Sequence, residues 1–314
     1  MTTTLSGTVL ITGPTGGLGR AATLAMASRP GPQRPDLLLV GRAGEALSGV
    51  AAAARDAGAT VHAIGCDLSR LAEVRAAAEQ AKELLAGGAV RPLRGLVANA
   101  GVSVKDTRTA SADGYELTFA VNYLAHAQLI GDLLASLAAP ARIVLLGSNT
   151  YHANLGRKLI GVQPARWRDP IDLAQPAAAD TRPSFKAMGT AYSNSKLAIL
   201  YYAHELQRQA PAQISVSVFE PGFMPGTGLG RQAGPAAQRI GRGIERLPGV
   251  ASPAESGPLL ASLVLDDRWA HLRDGAFVVR DKEREVKPIA HNLERERRLW
   301  DATAELLHAA MRAA

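Results

Sequence analysis

The chain has 314 residues, 47% of them apolar but only 4% aromatic, with one cysteine and a formal net charge of +7. That is enough apolar material for a sizeable core built largely from Ala, Val and Leu. The single cysteine, Cys66, excludes an intramolecular disulfide and a thiolate metal cluster, and it fits a reducing cytoplasm. The opening MTTTLSGTVLITG carries neither a basic region nor a long apolar run, so no secretory signal and no membrane span are expected. The arginines are scattered among Asp and Glu. The densest charged tract, Asp281 to Arg298, mixes both signs and reads as a solvated helix face, which argues against nucleic-acid binding.

The first apolar strand candidate, Thr8 to Thr12, runs into a Gly-rich turn and a helical stretch from Gly19 to Ser28. Asp36 to Val40 is a second strand, Gly44 to Ala57 a helix, Thr60 to Gly65 a third strand, and Ser69 to Leu85 a helix. Gly95 to Ala98 is a short buried strand, Asp113 to Leu137 a long helical pattern, and Arg142 to Leu146 a strand. After about 40 irregular residues the rhythm resumes: a helix over Thr190 to Gln207, a strand over Ile214 to Phe219, a helix over Glu255 to Leu265, a strand over Ala276 to Arg280 and a tail helix over Asn292 to Arg312. Apolar runs alternating with helices predict an α/β fold, a doubly wound parallel sheet of about seven strands with helices on both faces. No linker divides the chain, so residues 1–314 read as a single domain. Two Gly- and Pro-rich segments, 149–189 and 223–254, interrupt the rhythm and are expected on the substrate side.

Thr12-Gly13-Pro14-Thr15-Gly16-Gly17-Leu18-Gly19 sits at the first strand-to-helix junction. Glycines there permit a tight turn and close approach of a pyrophosphate, and the helix start presents unpaired N–H groups. It is no Walker loop, since no Lys-Ser/Thr follows Gly19. Arg42 ends the second strand, where a basic residue pairs with the 2′-phosphate of NADP and an acidic one would favour NAD. Asp67, before Leu68, has two readings: a partner for the adenine amino group, or a cap for the helix that follows. Tyr192 and Lys196 lie four apart on one helix face, where an ammonium next to a phenol would lower its pKa and provide an acid/base pair.

The chain resembles the short-chain dehydrogenase/reductase family. Besides the Gly-rich turn and the Tyr192–Lys196 pair, the matching motifs in order are Asn99-Ala100-Gly101, Asn122, Ser148 and Pro221-Gly222. The resemblance implies a Rossmann-like fold and NADP(H) as cofactor. In it Tyr192 exchanges a proton with the substrate oxygen, Ser148 orients that oxygen, and Lys196 holds the nicotinamide ribose. Asn122 holds, through its carbonyl, a water linked to Lys196. The implied cofactor contacts are Gly13, Thr15, Gly16, Gly17, Leu18, Gly19, Arg42, Asp67, Leu68, Asn99, Ala100, Gly101, Tyr192, Lys196, Pro221, Gly222 and Thr227. Gly147 stands where family members often have a first serine.

Within the family the phrases ADGYEL, PGFMPGTGL and SPAESG are most similar to the retinol dehydrogenase and light-dependent protochlorophyllide reductase branch. Phe223 stands where protochlorophyllide reductases carry a cysteine, which counts against pigment photoreduction. The expected activity is NADP(H)-dependent reduction of a ketone or aldehyde, or oxidation of an alcohol, on a bulky apolar or polycyclic substrate. A carbon–carbon double-bond reductase and a non-catalytic NADP(H) sensor are the alternatives. Candidate substrate contacts are Ser148, Tyr151, Trp167, Phe185, Met188, Phe223 and Met224. His126, His152 and His204 lack metal-ligand spacing and read as structural or solvated. Many family members pair through the helices before and containing the Tyr–Lys pair, so a homo-oligomer is the expectation.

Overall fold

The structure is a computed structural model and describes residues 6–152, 162–224 and 250–313. Its centre is one eight-stranded sheet in the order β3-β2-β1-β4-β5-β6-β7-β8. The strands are β1 (Thr8–Thr12), β2 (Asp36–Gly41), β3 (Val61–Gly65), β4 (Leu93–Ala98), β5 (Leu137–Leu146), β6 (Ile214–Glu220), β7 (Ala276–Val279) and β8 (Lys282–Arg284). The first seven pair in parallel, and β8 closes the edge antiparallel to β7. β8 went unpredicted because Lys282, Glu283 and Arg284 are all exposed and carry no apolar alternation. Part of the tract expected as a charged helix face is therefore a sheet edge, and its charges suit one, since they discourage pairing with another chain.

The helices are α1 (Gly17–Ala27), α2 (Glu45–Asp56), α3 (Leu71–Ala86), the composite α4, α5 (Pro170–Leu173), α6 (Phe185–Gln209), α7 (Pro253–Leu265) and α8 (Leu293–Ala313). The α4 run joins Leu117–Phe119, a π-helical turn Ala120–Leu124, Ala125–Leu133 and a 3-10 turn Leu134–Ser136. It starts four residues later than the sequence pattern suggested. Gly114 takes a positive φ of 85° in a turn, and Glu116 then caps the helix by accepting from Phe119 N at 2.7 Å. Conversely, α6 starts five residues earlier than expected, because the Ser184 hydroxyl accepts from Ala187 N at 3.1 Å and fixes the first turn. β5 also takes Leu137, which the pattern had placed in the preceding helix.

Side chains alternate between two cores. One lies beneath α3, α4, α6 and α8, and includes Leu10, Leu38, Leu96, Ile143, Val216 and Val218. The other lies beneath α1, α2 and α7, and includes Val9, Leu37, Val97, Val144 and Phe219. Because β1 is flanked by β2 and β4, the chain reverses direction across the sheet at β1. A crevice therefore opens at the carboxyl ends of β1 and β4, the expected position for a ligand in an open α/β sheet.

Candidate active site

The glycine turn lies in this crevice. Gly13 and Gly17 adopt positive φ of 64° and 50°. A Cβ on Gly19 would stand 2.1 Å from Gly13 O and 2.5 Å from Asn99 Nδ2, so α1 can only pack this tightly with glycine there. Gly16, by contrast, has open space where a Cβ would point. The first turn of α1 has no side-chain cap and no acidic residue. Its N–H groups are thus left to a ligand, and an anion fits both their dipole and the free volume. Leu18 is buried in the core, so only its backbone faces the turn.

Thr12 braces the turn. Its hydroxyl accepts from Asn99 N and Ala100 N, both at 3.0 Å, and lies 2.9 Å from His126 Nε2. With its lone pairs taken, the hydroxyl proton must go to Nε2. His126 therefore carries its own proton on Nδ1, which donates to Asn122 O at 3.1 Å. Burial, with the Lys196 charge adding to it and the bond to Asn122 opposing, holds the His126 pKa down to about 4, which suits this neutral tautomer. The Asn99 side chain donates to Thr12 O at 2.8 Å and Gly13 O at 3.2 Å. It shapes the turn, and its amide is already committed there.

Asn122 sits in the π-helical turn. Its Oδ1 accepts from Val102 N at 2.7 Å, and its Nδ2 donates to Val102 O and Ser195 Oγ, both at 3.0 Å. These bonds pin the segment after Asn99-Ala100-Gly101 against α6. Its carbonyl, expected from the resemblance to hold a water, takes the His126 ring N–H.

Ser148, Tyr192 and Lys196 meet at the carboxyl end of β5. Ser148 leaves the strand and hydrogen-bonds the Tyr192 hydroxyl. Lys196 Nζ lies 5.5 Å from the Tyr192 ring centroid and donates to Leu146 O at 2.7 Å. The Lys196 side chain is 1% exposed, and burial lowers its pKa to about 7. Tyr192 departs from the sequence expectation. Burial raises its pKa well above the ordinary phenol range; the Ser148 bond opposes this, and the Glu220 charge adds to it. Burial is the largest cause, and Lys196 is not among the groups that shift it. Gly147 has a spatial reason: a Cβ there would meet Val218 Cγ1 at 2.4 Å, so a serine cannot fit as the strands now pack.

Arg42 stands exposed just past β2, beside the turn, where Gly13 N donates to Val40 O at 2.9 Å. It has no ion-pair partner among the described residues. Asp67 does not cap α3, whose N-cap is Arg70 and whose first N–H, at Leu71, goes to Asp113 Oδ2 at 2.9 Å; instead its Oδ1 accepts from Ser69 N at 2.9 Å and Ser69 Oγ at 2.8 Å and closes the turn before the helix. The Leu68 side chain is buried, leaving only its backbone to a ligand. Gly101 borders Lys196 Nζ. Pro221 is buried, and Gly222 has a positive φ of 95°. Thr227 lies outside the described residues.

The substrate candidates divide. Tyr151 is a correction: it is 1% exposed, and its hydroxyl accepts from Lys287 N at 2.9 Å, so it packs the loop down. Trp167 meets Tyr201 edge to face at 4.7 Å and is likewise structural. Met224 packs against the core under α1 and α7. Phe185 and Phe223 are 65% and 56% exposed and remain open to a ligand, with Lys105 Nζ 4.7 Å above the Phe185 ring. A cavity of about 380 Å³ lies on the opposite flank of α6, lined by Glu116, Arg166, Ala187 and Asn194, and it does not reach Tyr192's face. His204, His291 and Glu296 cluster closely enough for a cation. However, the Glu296 carboxylate is already taken by His204 Nδ1 at 3.0 Å and Arg208 at 2.6 Å. His126 is structural, as its sequence reading allowed; nothing in the sequence singles out Thr12 or Ser195, which only the packed fold brings into the network.

The model of the family described as short chain dehydrogenase matches residues 7–156. A Streptomyces sp. (strain C5) protein named "Putative daunorubicin C-13 ketoreductase" is 35% identical over 216 residues, 68% of this chain and 65% of that protein. The match thus spans slightly under two thirds of that relative. Protochlorophyllide reductase A of Oryza sativa subsp. japonica is 29% identical over 96% of this chain and 80% of its own. A short-chain dehydrogenase from Burkholderia cenocepacia J2315, solved in complex with NADP, shares the fold with a TM-score of 0.62 at 20% identity, covering 87% of this chain and 96% of its own. With Ser148, Tyr192 and Lys196 converging beside an open helix N-terminus, these likenesses place the chain in the short-chain dehydrogenase/reductase family of oxidoreductases.

Proposed function

We propose that the chain is an NADP(H)-dependent carbonyl reductase acting on a bulky, apolar, polycyclic ketone. The observation that carries this reading is the convergence of Ser148, Tyr192 and Lys196 at the end of β5, next to the uncapped start of α1. The N–H groups at Gly16 to Leu18 would hold the cofactor pyrophosphate, and the unpaired Arg42 would meet the adenosine 2′-phosphate. Lys196 and the backbone of the 99–101 turn would hold the nicotinamide ribose. Bound there, the cofactor supplies the hydride. Ser148 orients the carbonyl oxygen, and Tyr192 gives that oxygen its proton as the carbon becomes an alcohol carbon. Lys196 then stabilises the phenolate until it is reprotonated. Exposed Phe185 and Phe223 favour a broad apolar substrate, and the Streptomyces relative is named as a ketoreductase.

Double-bond reduction is the second reading, favoured by the likeness to protochlorophyllide reductases along 96% of the chain. NADPH oxidation in the presence of polycyclic ketones, quinones and enones tests both. Turnover of ketones that is lost in Tyr192→Phe, with NADPH still bound, supports carbonyl reduction. Turnover of enones alone supports the second reading, and cofactor binding with no turnover of any of them supports a sensor. Arg42→Asp should weaken NADPH far more than NADH; equal loss places the 2′-phosphate contact elsewhere.

A further inference from the structure

The cavity on the flank of α6 away from Tyr192 has fixed walls, and the chemistry above does not use it. Its volume of about 380 Å³ suits a small organic molecule. Asn194 Oδ1 accepts from Arg166 N at 2.7 Å and ties the segment before α5 to α6. Ala177 N donates to Thr107 O at 3.0 Å and Glu116 N to Ala174 O at 2.8 Å, which ties the segment after α5 to the approach to α4. Phe119 and Leu173, both buried, give the cavity an apolar base. Arg166, Arg168 and Lys186 line it as well. None of these side chains makes an ion pair or donates a hydrogen bond among the described residues. The nearby acids do not compensate them. Asp169 is held by Arg298 at 2.7 Å. Asp172 and Asp180, in the flanking segments, neither line the cavity nor pair with these cations. Glu116 is the one acid of the described lining. Its Oε2 accepts from Phe119 N at 2.7 Å, and burial pushes its carboxyl up, against the bonds from residues 118 and 119.

We propose that this cavity is a second binding site, for an organic anion whose apolar body rests on Phe119 and Leu173 and whose acidic head meets Arg166, Arg168 and Lys186. Like charges gathered round one hollow repel one another until an anion joins them. The planar fork of arginine matches the oxygens of a carboxylate, sulfonate or phosphate. Arg166, Arg168 and Lys186 are exposed, whereas Phe119 and Leu173 are buried. The head therefore stays at the mouth and the body points inward, and a fully charged ligand would leave the apolar base unused. The cofactor is not the occupant. It must reach Tyr192 from the carboxyl ends of the strands, whereas α6 turns Ala187, Ala191 and Asn194 to the cavity. At the helical period these positions lie on the side of α6 away from Tyr192, so the two sites occupy opposite faces of one helix.

The inference is independent of the carbonyl-reductase reading and needs no substrate for its test. The probe is anilinonaphthalene sulfonate, an aromatic body with one anionic group. N-phenylnaphthylamine is the same body without the charge, and both brighten in an apolar site. Each is titrated into the full chain, with NADP+ present to cover the cofactor cradle. The sulfonate should bind at one saturable site. Arg166→Ala combined with Arg168→Ala should weaken the sulfonate about 10-fold or more and the neutral probe by less than about twofold. Lys186→Glu should weaken the sulfonate alone in the same way. Ala187→Trp, which fills the cavity from α6, should remove both probes, and it serves if the arginine variant does not fold. NADPH affinity should be equal in all of these variants. Absence of saturable binding to the wild type, equal weakening of both probes by the arginine variant, or undiminished binding to Ala187→Trp overturns the proposal. Sulfonate displaced in proportion to NADP+ occupancy would lie in the cofactor cleft and overturns it likewise. A chain that does not bind NADP+ would refute the cofactor reading, and the variants would still decide the cavity.

Discussion

Substituting Gly147 by alanine tests how the strand ends hold Ser148. The new Cβ would stand 2.4 Å from Val218 Cγ1 and 3.3 Å from Phe277 Cε2. Neither neighbour yields easily: Val218 is fully buried and stiff at χ1, and Phe277 is 3% exposed. Overpacking of this kind costs about 1–3 kcal/mol, which for a chain of this size lowers the melting temperature by roughly 2–12 °C. The strand must shift to relieve the clash, and Ser148 is the next residue. A displacement approaching 1 Å at its hydroxyl would cost about 10- to 100-fold in kcat. Gly147→Ser should do at least as much damage, although a serine is common there in the family. Thermal melts with NADPH oxidation on a reactive ketone read both effects. Val218→Ala leaves a cavity on its own, but combined with Gly147→Ala it should recover about 0.5–3 kcal/mol relative to the sum of the singles. Wild-type melting and turnover in Gly147→Ala, or strict additivity in the double variant, would refute the packing argument.

His126 should make the protein acid-sensitive. Its native pKa of about 4 lies below the ordinary 6.5, so between those values the unfolded imidazole is protonated and the native one is not. The stability present above pH 6.5 is then lost as pH falls toward 4, by up to about 3 kcal/mol. Denaturation of His126→Gln across that window should show this slope missing; an unchanged slope assigns it to other groups. Lys196→Met should abolish turnover yet raise the stability of the cofactor-free protein at pH 7, by about 1–4 kcal/mol, because a buried amine is replaced by an apolar chain. A chemically denatured variant less stable than wild type would mean that the bond to Leu146 O outweighs burial. The full chain should run by light scattering as a monomer of 32.9 kDa. α8 lies over α4 and α6, the two helices through which pairing was expected: Trp300 stacks on Tyr202 at 5.6 Å, and Tyr123 and Tyr115 bond Thr303 and Leu306 O. A dimer cross-linked through α4 and α6 would contradict this.

What the sequence disclosed followed from how strongly each residue's surroundings constrain its type. Central strands such as β1, β2 and β6 were readable because both of their faces are buried, leaving apolar runs such as DLLLV, while the edge strand β3 exposes Ala63 and Gly65. β8 is exposed and charged, so nothing in its composition separates it from a loop. The π-helical turn at 120–124 changes one hydrogen-bond offset and no residue preference, so it read as plain helix. Gly19, Ser148, Tyr192 and Lys196 were legible as an ordered set of motifs. Their electrostatics were not, because the upward shift at Tyr192 comes first from burial, which only the packed fold reveals, with the Glu220 charge adding to it. Tyr151 misled for a similar reason: an aromatic after the catalytic serine suits a pocket wall, and only the return of residue 287 shows that its hydroxyl is occupied.

The Thr12 hydroxyl joins what look in the sequence like two separate halves of the site. One half shapes an anion cradle from Gly13 to Gly19, and the other sets the proton chemistry around Tyr192. A hydroxyl accepts twice and donates once, and at position 12 all three capacities are used, by Asn99 N, Ala100 N and His126 Nε2. From His126 the chain of bonds continues to Asn122 O, and from the Asn122 amide to Val102 and Ser195, one residue before Lys196. No amide or carboxylate provides that set of bonds in the same space, and valine, though the same shape, would leave two buried N–H groups and a ring nitrogen unpaired. Each such loss costs about 1–3 kcal/mol. The strand residue that opens the glycine turn is thus constrained from the proton side of the site as much as from the cofactor side, and the two halves are held in register by hydrogen bonds that neither ligand touches.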